Sequence, residues 1–279
     1  TVKAGATRSA ANVAPSLTVG LQTRLESLLI DRIQNAPTAG QRITFYRAFL
    51  GIASTERARD VLKQILRNGS SKSEPPAVAG GLTRRPANAG KPVGNNINHQ
   101  PPATAGGSDF HLKSKDRFDI VTRLMILGDP EAPKLLAGLE KTETGDDAKR
   151  YAYAAKAGAA TAENKDKFWN DFLTNKDISE SWIEAAMGPF NSIRHASLTQ
   201  QYLERALAEL PNLKRSRKIF FVNGWLGAFI GGQRDEKALA IVNKFLADNP
   251  DLGRDLRLKI LENVDIIERA VKIRAKFTK

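Results

Sequence analysis

Cysteine is absent from the 279-residue sequence, and its only histidines, His99, His111 and His195, lie far apart. Without cysteine the chain can form no disulfide bond, thiolate metal site or thioester. No two histidines have the four-residue spacing that lets one helix face hold a metal. The compartment stays open between a bacterial periplasm or cell envelope and the cytoplasm.

Long apolar runs are also absent, although 41% of the residues are hydrophobic. The longest candidate, residues 219–230, is too short to span a bilayer and contains Asn223, so it is interpreted as a core helix. We therefore expect no transmembrane segment. The chain opens at Thr1 with neither an initiator methionine nor an apolar signal core, so it is expected to be a processed product or a fragment.

Basic residues outnumber acidic ones, 43 to 30, which gives a formal net charge of +13. Such a chain attracts polyanions at low salt. The bases are nevertheless spread from Arg8 to Lys279 and interleaved with acids, whereas specific nucleic-acid binders usually concentrate them on one face. No specific nucleic-acid partner is expected.

Apolar residues at helical spacing predict three short helices in the N-terminal part of the chain. The first helix ends before Pro37. Thr38 and Gln41 form a capping-box pattern at the start of the second helix. Either Ser54 or Thr55 can cap the third helix.

The composition changes between Gly69 and Asp109 to glycine, proline, serine and asparagine. So few apolar side chains cannot offset the entropy lost on ordering the segment, and it is predicted to be a mobile insertion or linker. A tethered binding segment is the alternative. The predicted organisation is N-terminal helices over 1–68, the insertion over 69–110 and a helical-repeat region over 111–279.

Residues that begin or end helices recur at regular spacing in the C-terminal part of the chain. Gly128 is predicted to end one helix and Asp129 to cap the next, and later helix starts near Thr161, Ser197 and Asp235 lie 36 to 38 residues apart. The predicted helix pairs are 161–173 with 179–187, 197–210 with 216–230, and 235–247 with 252–275. Two helices per repeat of about 35 to 45 residues are typical of a solenoid. The predicted fold is therefore all-α, a HEAT- or armadillo-like α-α superhelix.

Six aromatic residues of this region are assigned to the core, because rings on apolar helix stripes bury large areas. They are Trp169, Trp182, Phe220, Phe221, Trp225 and Phe229. A peptide-contacting surface for the phenylalanine-rich helix and a base-stacking platform for the first two tryptophans are the alternatives.

Two polar segments are candidates for function. Asn191, Arg194 and His195 follow Gly188-Pro189 in a predicted interhelical turn, where an arginine could pair with a peptide carboxylate. The alternative is structural, with Asn191 or Ser192 capping the next helix and His195 bonding a neighbouring backbone group. The basic run 214–218 stands at a helix start, where the macrodipole disfavours cations, and indicates either an anionic partner or a solvated turn.

Several stretches resemble the C-terminal helical domain of zinc aminopeptidases of the aminopeptidase N and endoplasmic reticulum aminopeptidase type. They include residues 161–165, Ser179-Glu180-Ser181-Trp182, 190–195 and 268–274. The resemblance extends over 113–277 and more weakly over 17–66. The family's His-Glu-x-x-His and Gly-x-Met-Glu-Asn motifs do not occur in this sequence.

The resemblance implies a domain that caps the substrate chamber of an aminopeptidase and limits peptide access. Zinc and the catalytic residues would belong to an upstream metallopeptidase domain, and this chain would hold no cofactor and be inactive alone. Peptide substrate would be the other partner, with Asn191, Arg194 and His195 as the candidate contacts. The alternative function is a stand-alone basic helical-repeat scaffold that binds a protein or an anionic partner.

Overall fold

A computed structural model describes residues 13–69 and 112–277, and every regular element in these two ranges is helical. The all-α prediction is confirmed for them, whereas the predicted insertion, apart from Gly69, lies outside them. A 3-10 helix, Ile193–His195, precedes α9. The α-helices are α1 (Val13–Asn35), α2 (Ala39–Ile52), α3 (Glu56–Gly69), α4 (Ser114–Ile126), α5 (Ala132–Thr142), α6 (Asp146–Ala157), α7 (Ala162–Thr174), α8 (Glu180–Phe190), α9 (Ala196–Ala208), α10 (Leu210–Ser216), α11 (Ile219–Phe229), α12 (Glu236–Asp248) and α13 (Arg254–Phe277).

Side-chain caps begin several of these helices where the sequence predicts them. The side-chain oxygens of Thr38, Thr55, Thr161 and Asp235 each accept a hydrogen bond from the backbone N–H three residues ahead, at 2.8 to 3.2 Å. Each bond satisfies one amide that the first helical turn leaves without an intrahelical partner. Gly128 ends the turn after α4 with a φ of 66°, a backbone conformation that favours glycine.

The helices contact one another in two rows. One row runs α2, α4, α6, α8, α11 and α13, and each member contacts the next. The other row contains α7, α9 and α12, which likewise contact in order. Neighbours along the chain join the rows, as α7 does with α8 and α12 with α13. Within each row, a helix therefore contacts the helix two or three places further along the chain.

Buried apolar side chains form two clusters that meet at α6. The N-terminal cluster extends from Ile30 to Ala155 and contains Phe49 and Phe118. The C-terminal cluster begins at Ala157 and is rich in aromatic rings. Its rings include Trp169, Phe172, Phe190, Tyr202, Trp225 and Phe229, with neighbouring centroids 4.3 to 5.9 Å apart. Tilted and edge-on ring contacts at such distances add to the stabilisation from burial.

The predicted end of α8 was wrong, because the helix continues through Gly188-Pro189 to Phe190. A proline in the last turn removes only one backbone hydrogen bond. Phe190 is fully buried against Phe172 and Tyr202, and this contact favours another helical turn. The candidate segment therefore begins at the end of a helix.

The region between α9 and α11 also differs from the prediction. The sequence pattern indicated one helix up to Leu210, whereas α9 ends at Ala208 and the short α10 follows. Pro211, which has no backbone N–H to donate, lies in the first turn of α10, and Leu213 is buried there. The prediction that Asp129 caps α5 was also wrong. This helix begins at Ala132 with Glu131 as its N-cap, and the Asp129 carboxylate accepts from the Glu131 N–H in the turn before it.

Candidate functional site

The first candidate site is the segment after α8, which contains Asn191, Arg194 and His195. Asn191 is only 3% exposed and forms the C-cap of α8, and its side-chain amide donates to the carbonyl of Met187 at 3.2 Å. Arg194 lies in the 3-10 helix and is exposed. The three predicted residues are thus close in sequence, but only Arg194 presents its side chain to solvent.

His195 joins its segment to the end of α4. Its ring is 5% exposed, and Nε2 lies 2.8 Å from the carbonyl oxygen of Ile126. Because a carbonyl can only accept, we assign the proton to Nε2, which leaves Nδ1 as an acceptor. Burial lowers the pKa of His195, as do the charges of Lys165 and Arg194, while the bond to Ile126 opposes them. The alternative prediction that His195 bonds a backbone group is confirmed.

Arg194 lies near another arginine, Arg123 of α4. The Arg123 side chain donates from Nε to the carbonyl of Ala53 at 2.9 Å. Burial, followed by the charge of Arg194, lowers the pKa of Arg123 to about 10. Arg194 has no ion-pair partner among the described residues. An exposed guanidinium beside a second cation is well suited to receive an anionic group such as a carboxylate.

Sequence reasoning missed a buried lysine close to this segment. Lys165 of α7 is 0% exposed, and its Nζ donates to the carbonyl of Ala157 at 2.9 Å. No carboxylate pairs with Lys165 among the described residues, and burial lowers its pKa to about 8. Its ammonium lies 5.1 Å from the ring centroid of Phe190, within the range of a cation–π contact.

Further buried polar groups connect α9 with the loop after α11. Gln233 donates from Nε2 to the Thr199 hydroxyl at 3.1 Å, and that hydroxyl donates to the carbonyl of His195 at 3.3 Å. Three buried acceptors have no hydrogen-bond partner among the described residues, namely Asn191 Oδ1, His195 Nδ1 and Gln233 Oε1. The buried part of the segment is therefore a polar junction between helices, where every unpaired group accepts and needs a donor.

The second candidate site is a pocket of about 330 Å³ between α5, α6 and α8. Lys149, Tyr153 and Lys156 line it from one face of α6, since residues four and seven apart share a helix face. Trp182 of α8 completes an aromatic floor, with its ring centroid 5.7 Å from that of Tyr153. Trp182 is half-buried, so its assignment to the core was wrong in part. The sequence placed Trp182 on an apolar helix stripe and did not indicate that this residue lines a pocket.

Most of the charges around the pocket are paired. Glu140 bonds Lys156 at 2.6 Å, and Glu143 bonds Arg117 at 2.7 Å. Lys149 reaches only the highly exposed Asp146 at 3.4 Å, a contact that contributes little in water. The pocket therefore offers an apolar aromatic floor beside one available ammonium group, an arrangement that can hold an aromatic or aliphatic side chain next to an anionic group.

Metal-binding groups are not found in the described parts of the chain, where no three His, Cys, Asp or Glu side chains converge. Those same residues include no helix that is both long and apolar enough to cross a membrane. No protein-family model matches the sequence, and no curated protein matches it.

Proposed function

We propose that the chain is the C-terminal helical domain of a zinc-dependent aminopeptidase, in which it caps the substrate chamber and contacts the peptide. The observation that carries this proposal is the row of successive contacts from α4 through α6, α8 and α11 to α13. Hairpins that contribute every second helix to one row build a superhelix of HEAT or armadillo type. Such a row offers an extended surface to a peptide.

The two candidate sites lie at opposite ends of α8. Trp182 belongs to its first turn, and Arg194 follows its last residue, Phe190. A rise of 1.5 Å per residue places these ends about 15 Å apart. An extended peptide of about five residues covers that distance. The pocket would hold an apolar side chain, while Arg194 would meet a carboxylate.

Catalysis belongs to another domain under this proposal. The described residues offer no zinc ligands, so we assign none of this chain's side chains to the metal or to the reaction. The resemblance of residues 161–165 and 179–195 to the aminopeptidase domain supports an upstream metallopeptidase domain as partner. The chain alone should hydrolyse no aminoacyl substrates.

Peptide binding tests the proposal directly. Titration calorimetry should show that the chain binds a ten-residue peptide with a free C-terminal carboxylate more tightly than the same peptide with an amidated end. Loss of a charge-assisted contact costs about 1 to 3 kcal/mol. Arg194→Ala should therefore weaken binding of the peptide with a free carboxylate by about 5-fold to 150-fold, and it should leave binding of the amidated peptide unchanged. Lys134→Ala, an exposed change on α5, is the control. Equal affinity of the unmodified chain for both peptides would show that Arg194 does not bind the peptide carboxylate.

A stand-alone scaffold is the second candidate function. Its support is an apolar stripe on α1, where Leu21, Leu25 and Leu28 are exposed and a protein neighbour could cover them. The reading frame immediately upstream separates the two functions. A zinc-binding motif encoded there supports the aminopeptidase domain, whereas a start codon with a signal peptide supports the scaffold.

A further inference from the structure

Two adjacent apolar side chains project from the start of α11. Phe220 is 78% exposed and Ile219 is 48% exposed, although the next residue, Phe221, is fully buried. The sequence pattern assigned Phe220 to the core together with Phe221, Trp225 and Phe229, and for Phe220 this assignment was wrong. Its ring points away from the helix face that packs against the core, because one residue along a helix rotates the side chain by about 100°.

The residues just before this apolar pair carry the basic run 214–218. Lys214 pairs with Asp255 at 2.9 Å, and Arg217 pairs with Glu180 at 3.5 Å. Arg215 donates only to an uncharged amide, that of Asn212. Two of the four basic residues are thus already neutralised by carboxylates.

The remaining cations have no ion-pair partner within 13–69 and 112–277. Arg215 and Lys218 are exposed on either side of the chain turn, and Arg254, beside Asp255, is exposed as well. Two cations without an ion-pair partner, Arg215 and Lys218, therefore come just before Ile219 and Phe220 in the chain. Arg254 stands beside Asp255, the partner of Lys214.

The ion pairs also fix where this surface lies in the fold. Glu180 is the first residue of α8, and Asp255 lies in the first turn of α13. The segment 214–220 therefore lies between the N-terminal ends of α8 and α13, at the N-terminal end of α11 itself. The prediction that the whole basic run stands at a helix start was wrong, because Lys214 and Arg215 lie in the last turn of α10, where the macrodipole favours cations. Lys218 is the N-cap of α11 and Arg254 is the first residue of α13, so these two cations are unfavourable unless an external anion approaches.

We propose that residues 214–220, with Arg254, form a docking surface for an anionic lipid membrane. Exposed cations are attracted to negatively charged headgroups, and Phe220 with Ile219 enters the interface, where aromatic side chains partition favourably. Because the exposed charges of this surface are positive, its complementary partner is an anionic surface. Phe220 projects with 78% of its surface exposed, and a lipid interface accepts a projecting ring without requiring a matching shape. Two apolar side chains give weak, reversible attachment.

Co-sedimentation of the full chain with lipid vesicles tests this proposal. We expect binding to vesicles of 70% phosphatidylcholine and 30% phosphatidylserine at about 0.1 M salt, and little binding to pure phosphatidylcholine. Phe220→Ser should weaken binding by about tenfold, because the serine variant loses the apolar ring that enters the interface. Arg215→Gln with Lys218→Gln should weaken it by about 25-fold, at roughly fivefold per cation.

Matched controls change the same chemistry elsewhere on the surface. Ile273→Ser removes an exposed apolar side chain near the end of α13, and Lys134→Gln with Lys141→Gln removes two exposed charges on α5. Both should bind as the unmodified chain does. Phe220→Trp should retain binding, which shows that the position requires an aromatic ring and that the substituted chain folds.

Three results would overturn the proposal. One is the absence of binding to the anionic vesicles. Another is equal loss in the α5 double variant, which would assign the binding to net charge alone. The third is unchanged vesicle binding by Phe220→Ser; if that variant instead loses affinity for an acidic protein, the surface docks a protein and not a membrane.

Discussion

At the scale of single residues, Lys165 is the side chain that departs most from ordinary protein chemistry. A fully buried ammonium normally has a carboxylate partner, because removing a charge from water costs several kcal/mol. Lys165 has one backbone acceptor and an aromatic ring instead. Burying the Lys165 ammonium lowers the free energy of unfolding. Because burial also lowers the pKa of Lys165, this cost depends on pH.

Replacement of Lys165 by methionine should reveal that cost. The lysine pKa falls from 10.5 to about 8 on folding, so the unfolded chain binds more protons between these values. The stability of the unmodified chain should therefore rise by about 3 kcal/mol relative to Lys165→Met as pH rises from 8 to 10.5. Below pH 8 the cost is fully present, and the methionine variant should be at least as stable.

Urea denaturation at a series of pH values measures this difference. Lys149→Met is the control, because Lys149 is exposed and its replacement should give a curve parallel to that of the unmodified chain. A difference between Lys165→Met and the unmodified chain that stays constant from pH 7 to 10.5 would mean that Lys165 is solvated.

The sequence contained a signal for Lys165 that was not used. The residue lies three, four and seven positions before Phe168, Trp169 and Phe172, on the same buried face of α7. Its burial was therefore predictable from spacing alone. Its surroundings were not, since Phe190 and His195 come from the end of α8 and the segment after it, and the path of that segment depends on the bond of His195 to Ile126.

At the scale of helices, the caps are the elements that the sequence predicted best. Asp235 caps α12 through the Ala238 N–H at 2.8 Å, and its carboxylate also accepts from the Gln200 side chain of α9 at 2.8 and 2.9 Å. One residue therefore satisfies a helix terminus and joins two neighbouring helices. Only the cap was visible in the sequence, because Gln200 is 35 residues away.

Asp235→Ala should lower the free energy of unfolding by about 1 to 2 kcal/mol, the usual cost of a lost cap. Asp235→Asn should retain most of the stability, because an asparagine oxygen also accepts the cap bond. Chemical denaturation of both variants gives the values, with the exposed Asp251→Ala as control. An alanine variant as stable as the unmodified chain would show that neither bond contributes.

The helices that the sequence missed have physical explanations. The buried face of α6 consists of alanines, Ala148, Ala152 and Ala155 among them, and these give little contrast with its polar face. The short α10 depends on Pro211 and on burial of Leu213, which a continuous helical pattern concealed. Strong apolar stripes and side-chain caps make the long helices predictable from the sequence. The short and alanine-rich helices depend on packing against the rest of the chain.

At the scale of the whole molecule, the two rows of contacting helices are the observation on which the proposed aminopeptidase role rests. The exposed Arg194 and the pocket at Trp182 lie at two ends of one helix, α8. Neither the pocket nor its depth was predictable from the sequence, because α5, α6 and α8 build it together.

The most direct test of the central claim uses the longer polypeptide that the proposal requires, in which this chain would follow a zinc catalytic domain. Values of kcat/KM should be compared for peptides of two to twelve residues, with Arg194→Ala beside Lys134→Ala as control. We predict that Arg194→Ala costs about 1 to 3 kcal/mol for the long peptides and nothing for dipeptides, since only a long substrate reaches the arginine. Equal losses for short and long peptides, or no loss at any length, would contradict a role for this chain in contacting the substrate.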